Sequence, residues 1–286
     1  MIKVDKKYVP PKVSLIVTSH NQIKYSKLMY ASLKKYTHYP YELIWIDCVS
    51  TDGTREWLDS EIHKETVKVF VPKIGIGEAM NIGFSKCSTE SKYIGDLDND
   101  LILTEGWLKK LIKHMEMYEK IAALSTLRAI DLEERFVPKN INRLEEEIQA
   151  FSKKIGKRSG VQNLGVTTGS HTIFRRIAIE QMGLWDSRFW MGEDSDIAVR
   201  LVRAGWKCRY AADTWVYHFK SATVSEIDKI DLEWRKRRIE SRLLFRKLYG
   251  ARIFARARRA YIIVYKKLCR MKNSFKDKII TYEEVI

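Results

Sequence analysis

Cysteine is scarce and scattered: Cys48, Cys87, Cys208 and Cys269 form no C-x-x-C pair. That spacing excludes a paired-thiolate zinc site and a disulfide framework, and it reads as reduced thiols in a cytosol. No stretch approaches the roughly 18 uninterrupted apolar residues of a membrane-spanning helix. The best run, Tyr261 to Tyr265, is flanked by arginine and lysine. The opening residues meet Pro10 and Pro11 without an apolar segment or small-residue cleavage site, so a secretory signal is not expected. Acidic residues are outnumbered, 36 Asp+Glu against 52 Lys+Arg, for a net charge of +16. The imbalance is concentrated at residues 226–286, which hold 18 Lys+Arg and 8 Asp+Glu. A surplus of that sign points to an anionic partner: lipid headgroups, nucleic acid or lipid-linked phosphates.

With 286 residues and 45% apolar composition, the chain can bury one large core or two smaller ones. Its first hundred residues alternate short β-branched runs with helical patterns. Val13–Ser19, Tyr41–Asp47, Val67–Val71 and Tyr93–Leu97 read as strands, and Tyr25–Tyr36, Thr54–Glu61 and Glu78–Cys87 as helices. This rhythm predicts an α/β fold with right-handed crossovers and a mainly parallel sheet, whose ligands sit at the carboxyl ends of the strands. A helix at Glu105–Tyr118 and a strand at Ile121–Thr126 follow. Residues 131–160 then read as a charged, partly helical insertion, bounded by Pro138 and Gly156. Beyond it lie the glycine-bearing Thr167–Ser170, a helix over Glu193–Ala204 and two short strands, Lys207–Tyr210 and Thr214–Phe219. Trp234–Lys272 has fifteen Lys+Arg and one acidic residue, Glu240. Within it Phe254, Ala257, Tyr261, Val264 and Leu268 fall on one helical stripe and Arg252, Arg256, Arg259, Lys266 and Arg270 on another, a basic amphipathic helix.

Chemistry concentrates at predicted strand ends. Gly95-Asp-Leu-Asp-Asn-Asp closes the fourth strand, and the i, i+2 carboxylates Asp98 and Asp100 can address one hard cation, leaving positions for phosphate oxygens. The plainer reading is a solvated acidic turn. Thr18-Ser-His-Asn and Asp47-Cys-Val-Ser-Thr-Asp-Gly-Thr close the first two strands, so three polar strand ends converge on one crevice. Ser50 and Asp52 also suit a capping role for the helix from Thr54. Gly75-Ile-Gly-Glu-Ala-Met lacks the third glycine of a dinucleotide fingerprint, which excludes a Rossmann dehydrogenase. Asn81, in the helix after it, suits either ligand contact or the holding of a neighbouring backbone. Gly192-Glu-Asp-Ser-Asp opens a helix, where carboxylates serve as caps or, alternatively, as a base. His218 ends a strand-like run as a core histidine or a late nitrogen ligand. Trp185, Phe189, Trp190 and Trp206 surround the Glu193-Asp194 segment, as packing or as stacking faces for a sugar.

Taken in order, Val13-Ser-Leu-Ile-Val-Thr-Ser-His-Asn, Glu42-Leu-Ile-Trp-Ile-Asp, Ser50-Thr-Asp-Gly-Thr, Ala79-Met-Asn-Ile-Gly, Asp98-Asn-Asp and Gly192-Glu-Asp-Ser-Asp resemble the motif series of family 2 glycosyltransferases with the GT-A fold, over about residues 12–219. The resemblance implies an inverting, non-processive hexosyltransferase that moves a sugar from a nucleotide diphosphate, a UDP-sugar first, to a glycan or lipid-linked acceptor hydroxyl. It implies that Thr18, His20, Asn21, Asp47, Asn81 and Asp98 hold the donor nucleotide. Asp100, with Asp98 and His218, would hold Mn²⁺ or Mg²⁺; Asp194 would be the base, with Glu193 beside it, and Trp185 and Trp190 would meet the acceptor. Residues 1–119 would form the donor half, 120–225 the acceptor half and 226–286 a basic tail resting on the inner face of a membrane. Thr18 stands where the family usually has proline, and Cys48-Val49 where it has an Asp/Asn-Gly pair. The Q-x-x-R-W signature of processive synthases is absent. Competing readings are a nucleic-acid-binding or nucleic-acid-modifying protein gripping phosphates with its tail, an inactive binding domain, and a metal-dependent phosphohydrolase.

Overall fold

The computed structural model describes residues 12–129, 161–162, 169, 171–219 and 231–269. The insertion expected at 131–160 lies outside them. The strands are β1 (Val13–Ser19), β2 (Glu42–Cys48), β3 (Val67–Val71), β4 (Tyr93–Asp98), β5 (Leu101–Ile102), β6 (Ile121–Ala129), β7 (Val161–Gln162), β8 (His171–Arg175) and β9 (Lys207–His218). The helices are α1 (Ile23–Tyr36), α2 (Thr54–Glu61), α3 (Ile76–Lys86), α4 (Trp107–Met117), α5 (Arg176–Gln181), α6 (Glu193–Arg203) and α7 (Leu232–Cys269). One sheet runs in the order β3-β2-β1-β4-β8-β6-β9-β5, with β7 beside β9. Its first four strands are parallel, as the strand–helix rhythm requires. Past β4 the sheet is mixed: β8 is antiparallel to β4 and β6, and β6 is parallel to β9.

Period-two alternation explains why both faces are covered. Leu15, Val17 and Trp45 point to one side, where they pack with Met29 and Leu33 of α1, Trp57 of α2 and Leu111 of α4. Ile16, Ile44 and Ile46 point to the other, against Met80 of α3, Ile179 of α5 and Ile197 of α6. Gly83 lets α3 lie close on the sheet, since a Cβ there would stand 2.6 Å from Ile16 Cγ2.

Most predicted boundaries fall within two residues of the observed ones, and the departures have local causes. Helix α1 begins at Ile23 rather than Tyr25, because Asn21 and Gln22 take left-handed conformations (φ 57° and 66°) and Asp52 accepts the Ile23 amide at 2.8 Å. The two short strands expected after residue 206 are one long strand, β9, carried past an irregular register between Ser125 and Leu127 of its partner. Helix α7 is interrupted at Gly250 (φ 76°, ψ 161°). Its stripes from Phe254 onward involve side chains outside the described residues. Among the described residues no helix is long and apolar enough to cross a membrane.

Candidate active site

Parallel register brings the three strand ends level. Thr18 of β1 pairs with Ile46 of β2 and with Asp98 of β4, and Ser19 pairs with Asp47. Asp47 is buried and fully engaged: its carboxylate accepts the Ser19 hydroxyl at 3.0 Å, the Ser50 amide at 3.1 Å and the Ser50 hydroxyl at 2.5 Å. Ser19 in turn accepts the Trp45 indole N–H at 2.9 Å. Asn21 joins the same loops, donating its amide to Ser50 Oγ at 2.7 Å and accepting the Thr51 amide at 2.7 Å. Imidazole Nδ1 of His20 lies 2.6 Å from the Cys48 carbonyl. Asp47, Val49, Arg55, Phe70, Val71 and Pro72 line a cavity of about 260 Å³ beside these loops, with the Arg55 guanidinium 4.3 Å from the Phe70 ring centroid. Arg55 and Phe70 carried no motif and escaped the sequence reading; only the juxtaposition of α2 with β3 reveals them. Burial, reinforced by the charges of Asp47 and Glu78, pushes the Cys48 thiol up to about 12, so it is no thiolate nucleophile at neutral pH.

A second cluster forms where β5 pairs antiparallel with β9, Leu101 opposite His218. That pairing sets His218 Nε2 at 3.0 Å from Asp100 Oδ1 and 3.5 Å from Asp98 Oδ2. The Phe219 amide adds a bond to the Asp100 carbonyl at 3.0 Å. One ligand atom from each of Asp98, Asp100 and His218 lies within 4.8 Å of the others. Two carboxylates and an imidazole are a donor set suited to Mn²⁺ or another divalent cation of intermediate hardness.

Carboxylates also gather on the neighbouring segment. Glu193 is 6% exposed and, among the described residues, its Oε2 meets no hydrogen-bond donor. Burial holds its carboxyl well above the usual range, and the charges of Asp194 and Asp96 add to the effect. Asp96 is buried and raised for the same reason, with Asp98 and Asp194 contributing. Asp194 is half-buried; it accepts the Ser195 amide at 2.6 Å and the Gly169 amide at 3.2 Å. Glu193, Asp194 and Asp196 stand in the first turn of α6, but no side chain makes the cap hydrogen bond expected there, and the Asp194 carboxylate reaches a distant loop.

Three of the residues singled out in the sequence have packing or bracing contacts. Asn81 donates to the Trp185 carbonyl at 2.8 Å and accepts its amide at 3.1 Å, so it holds a neighbouring backbone, one of the two roles its sequence position suited. Trp185 lies edge-on to Phe174 in the core, at 2% exposure, so its ring has no face for an acceptor. Trp190 is covered by Trp234 of α7, their ring centroids 5.3 Å apart, and by the Arg237 guanidinium at 4.6 Å. Gly75 and Gly77 serve close packing: a Cβ at Gly75 would stand 2.9 Å from the Phe189 carbonyl oxygen, and one at Gly77 2.8 Å from that of Asp186.

Comparison with known proteins bears on the fold and the family. The chain is 31% identical over 127 residues to an uncharacterized glycosyltransferase of Haemophilus influenzae, covering 43% of this chain and 38% of that protein. It is 25% identical over 224 residues to the O-antigen chain rhamnosyltransferase WbaN of Salmonella anatum, covering 74% and 68%. The chain thus spans less than half the length of the first of these relatives. Among solved structures, GalNAc-T7 with UDP, GalNAc and Mn²⁺ superimposes with a TM-score of 0.57 at 17% identity, over 73% of this chain and 44% of that one, a likeness of fold. The family model for glycosyl transferase family 2 matches residues 14–183, more than half of the sequence, and this chain belongs to that family.

Proposed function

We propose that the protein is an inverting, divalent-metal-dependent hexosyltransferase, using a nucleotide diphosphate sugar, a UDP-sugar first, and an acceptor hydroxyl on a glycan or lipid-linked glycan. The observation that carries this reading is that the Asp98–Asp100–His218 triad and the Asp47 cavity lie at the carboxyl ends of β4 and β2, with Glu193 and Asp194 close enough to Asp96 and Asp98 for their charges to interact. In it, Asp47 and the loops it holds receive base and ribose, as do Thr18, His20 and Asn21 nearby. Asp98, Asp100 and His218 would hold the cation, which supplies positive charge against the diphosphate. Asp194 takes the proton of the acceptor hydroxyl as its oxygen bonds to the anomeric carbon, while the bond from that carbon to the diphosphate oxygen breaks and the diphosphate leaves with the electron pair. One base on the face opposite the leaving group gives inversion. Glu193, held toward its protonated form by burial, lowers the negative charge that Asp194 would otherwise face.

The outward face of α7 before Gly250 supports a peripheral place on the cytoplasmic, anionic surface of a membrane. Leu232, Ile239 and Leu243 are exposed on it at 79%, 45% and 58%. Exposed Arg235, Lys236, Arg242, Arg246 and Lys247 surround them. Apolar residues ringed by basic ones suit an interface of acyl chains and negative headgroups. Cosedimentation with phosphatidylglycerol vesicles, but neither with phosphatidylcholine vesicles nor with duplex DNA, is the expected result; binding to DNA alone would favour a nucleic-acid partner.

Calorimetric titration with UDP, GDP and dTDP, with and without Mn²⁺, tests the enzyme reading. Metal-dependent binding of one nucleotide, lost in Asp100→Ala, is expected. Binding without sugar transfer would mark a binding domain, and no binding at all would overturn the reading.

A further inference from the structure

Helix α7 lies beyond residues 14–183, so the family likeness says nothing of it. Its first half nevertheless packs onto the site. Buried Trp234, Ser241 and Phe245 and half-buried Tyr249 recur at helical spacing on its inner face. Phe245 meets Phe189 with ring centroids 6.3 Å apart. Ser241 Oγ accepts the amides of Trp190 at 2.9 Å and Met191 at 3.4 Å, while its hydroxyl donates to the Arg237 carbonyl at 3.1 Å. Eight residues on, the Tyr249 hydroxyl donates to the carboxylate of Asp196, which Arg200 also holds. Both ends of the stretch from Trp190 to Asp196 are therefore fastened to one helix.

The same stretch is held from the opposite side. The Trp190 carbonyl accepts the Ile76 amide at 3.1 Å, at the start of α3, so this one peptide segment is gripped by the donor half through its oxygen and by α7 through its N–H. Trp234 extends the bracing to the end of β1, stacked near-parallel with His20 at 6.2 Å and 15°. Lys73 pairs with Asp231 just before the helix. Between the two fastenings lie Gly192, left-handed at φ 94°, and the carboxylates Glu193 and Asp194. The body of α6 is anchored independently by Ile197, Ala198 and Leu201 in the core. Losing Ser241 therefore loosens the loop before the first turn without removing what holds the helix.

We propose that Ser241 is a positioning residue for sugar transfer, seconded by Tyr249: the first half of α7 sets the approach of the Glu193-Asp194 carboxylates to the acceptor and leaves nucleotide binding to the other half of the site. This rests on the functional reading above. A base displaced by about 1 Å loses on the order of 100-fold in rate, and two missing amide acceptors permit movement of that size.

The test uses the full chain with Ser241→Ala, Ser241→Thr and Tyr249→Phe. Nucleoside diphosphate release is followed for UDP-sugars and GDP-mannose with Mn²⁺, beside calorimetric nucleotide binding and thermal unfolding. In Ser241→Ala, kcat is expected to fall about 100-fold, with donor KM and nucleotide affinity close to those of the parent and the melting temperature a few degrees lower, because the Trp190 and Met191 amides lose their acceptor. Ser241→Thr, which keeps the oxygen, restores most of the loss, and Tyr249→Phe gives a smaller one. Parental turnover in Ser241→Ala overturns the inference and leaves the functional reading intact. A fall of nucleotide affinity as large as the fall of kcat also overturns it, as the signature of a general structural role. Absence of release by the parent with every donor overturns the functional reading, and the inference with it.

Discussion

The two sides of the crevice are held together differently. On the side proposed for the donor the polar groups are fixed by neighbouring loops: Asp47 by Ser19 and Ser50, Asn21 by Ser50 and Thr51, and Ile23 and Thr54 by Asp52. On the side proposed for the acceptor the fastenings come from far along the chain. Trp190 is held by Ile76 and Ser241, Asp194 reaches back to Gly169, and Asp196 is met by Tyr249. A donor pocket closed by adjacent loops at the level ends of parallel strands is formed once the sheet is. The acceptor wall needs the second half of the sheet and the C-terminal helix in place.

The sharpest way to break this comparison is at the carboxylates. Asp194→Asn keeps the size and one acceptor oxygen but cannot take a proton, so turnover should drop about 1,000-fold, with calorimetric nucleotide binding little changed. If nucleotide affinity falls as far as rate, the two sides are not separable. Asp100→Ala does the reverse. It should weaken metal binding by at least about 100-fold and erase the Mn²⁺-dependent part of nucleotide binding, as titration of metal into apoprotein would record.

Smaller effects probe the frame. Gly77→Ala would place a methyl 2.8 Å from the backbone oxygen of Asp186, and forced overpacking of this kind costs about 2 kcal/mol. Chemical denaturation should show that loss, with a rate defect beyond it if α3 supports the acceptor wall. Asp52 gives the gentlest test. Burial raises its carboxyl, but the Thr54 hydroxyl and the amides of Ile23 and Thr54 outweigh burial and hold it below the ordinary aspartate range. The folded state therefore prefers the charged form, and this stabilisation is present above the unfolded pKa of about 3.9 and lost as pH falls through the lower folded value. Asp52→Ala should cost about 1 kcal/mol at pH 7, and the gap between variant and parent should narrow in denaturation measured towards pH 3.

Much of the donor side was legible before any coordinates. Val13–Ser19 and Val67–Val71 are strands, and Thr54–Glu61 a helix, at the limits their residue pattern predicts. Apolar alternation and helical periodicity are local properties that survive folding unchanged. The carboxylate pair was legible too, because Asp98 and Asp100 sit two apart at a strand end, whereas His218 joined them only through the family resemblance. What brings them within 4.8 Å is the β5–β9 pairing, between residues more than a hundred apart in sequence. Asn81 and Trp185 show the opposite case: residue types suited to ligand contact, of which one brackets a backbone and the other packs against Phe174. No local pattern distinguishes an amide that brackets a backbone from one that meets a nucleotide.

By itself, the sequence determined the parallel α/β half, the acidic strand end, the family and the basic character of the C-terminal segment, since each is written in neighbouring residues or their composition. Only the tertiary structure decided that this segment is divided at Gly250, that Trp234, Ser241, Phe245 and Tyr249 turn inward, and that Trp190 is covered. The physical reason is that a helix's periodicity announces an apolar face but not its partner. That choice depends on which surfaces remain uncovered when the sheet and its other helices have packed.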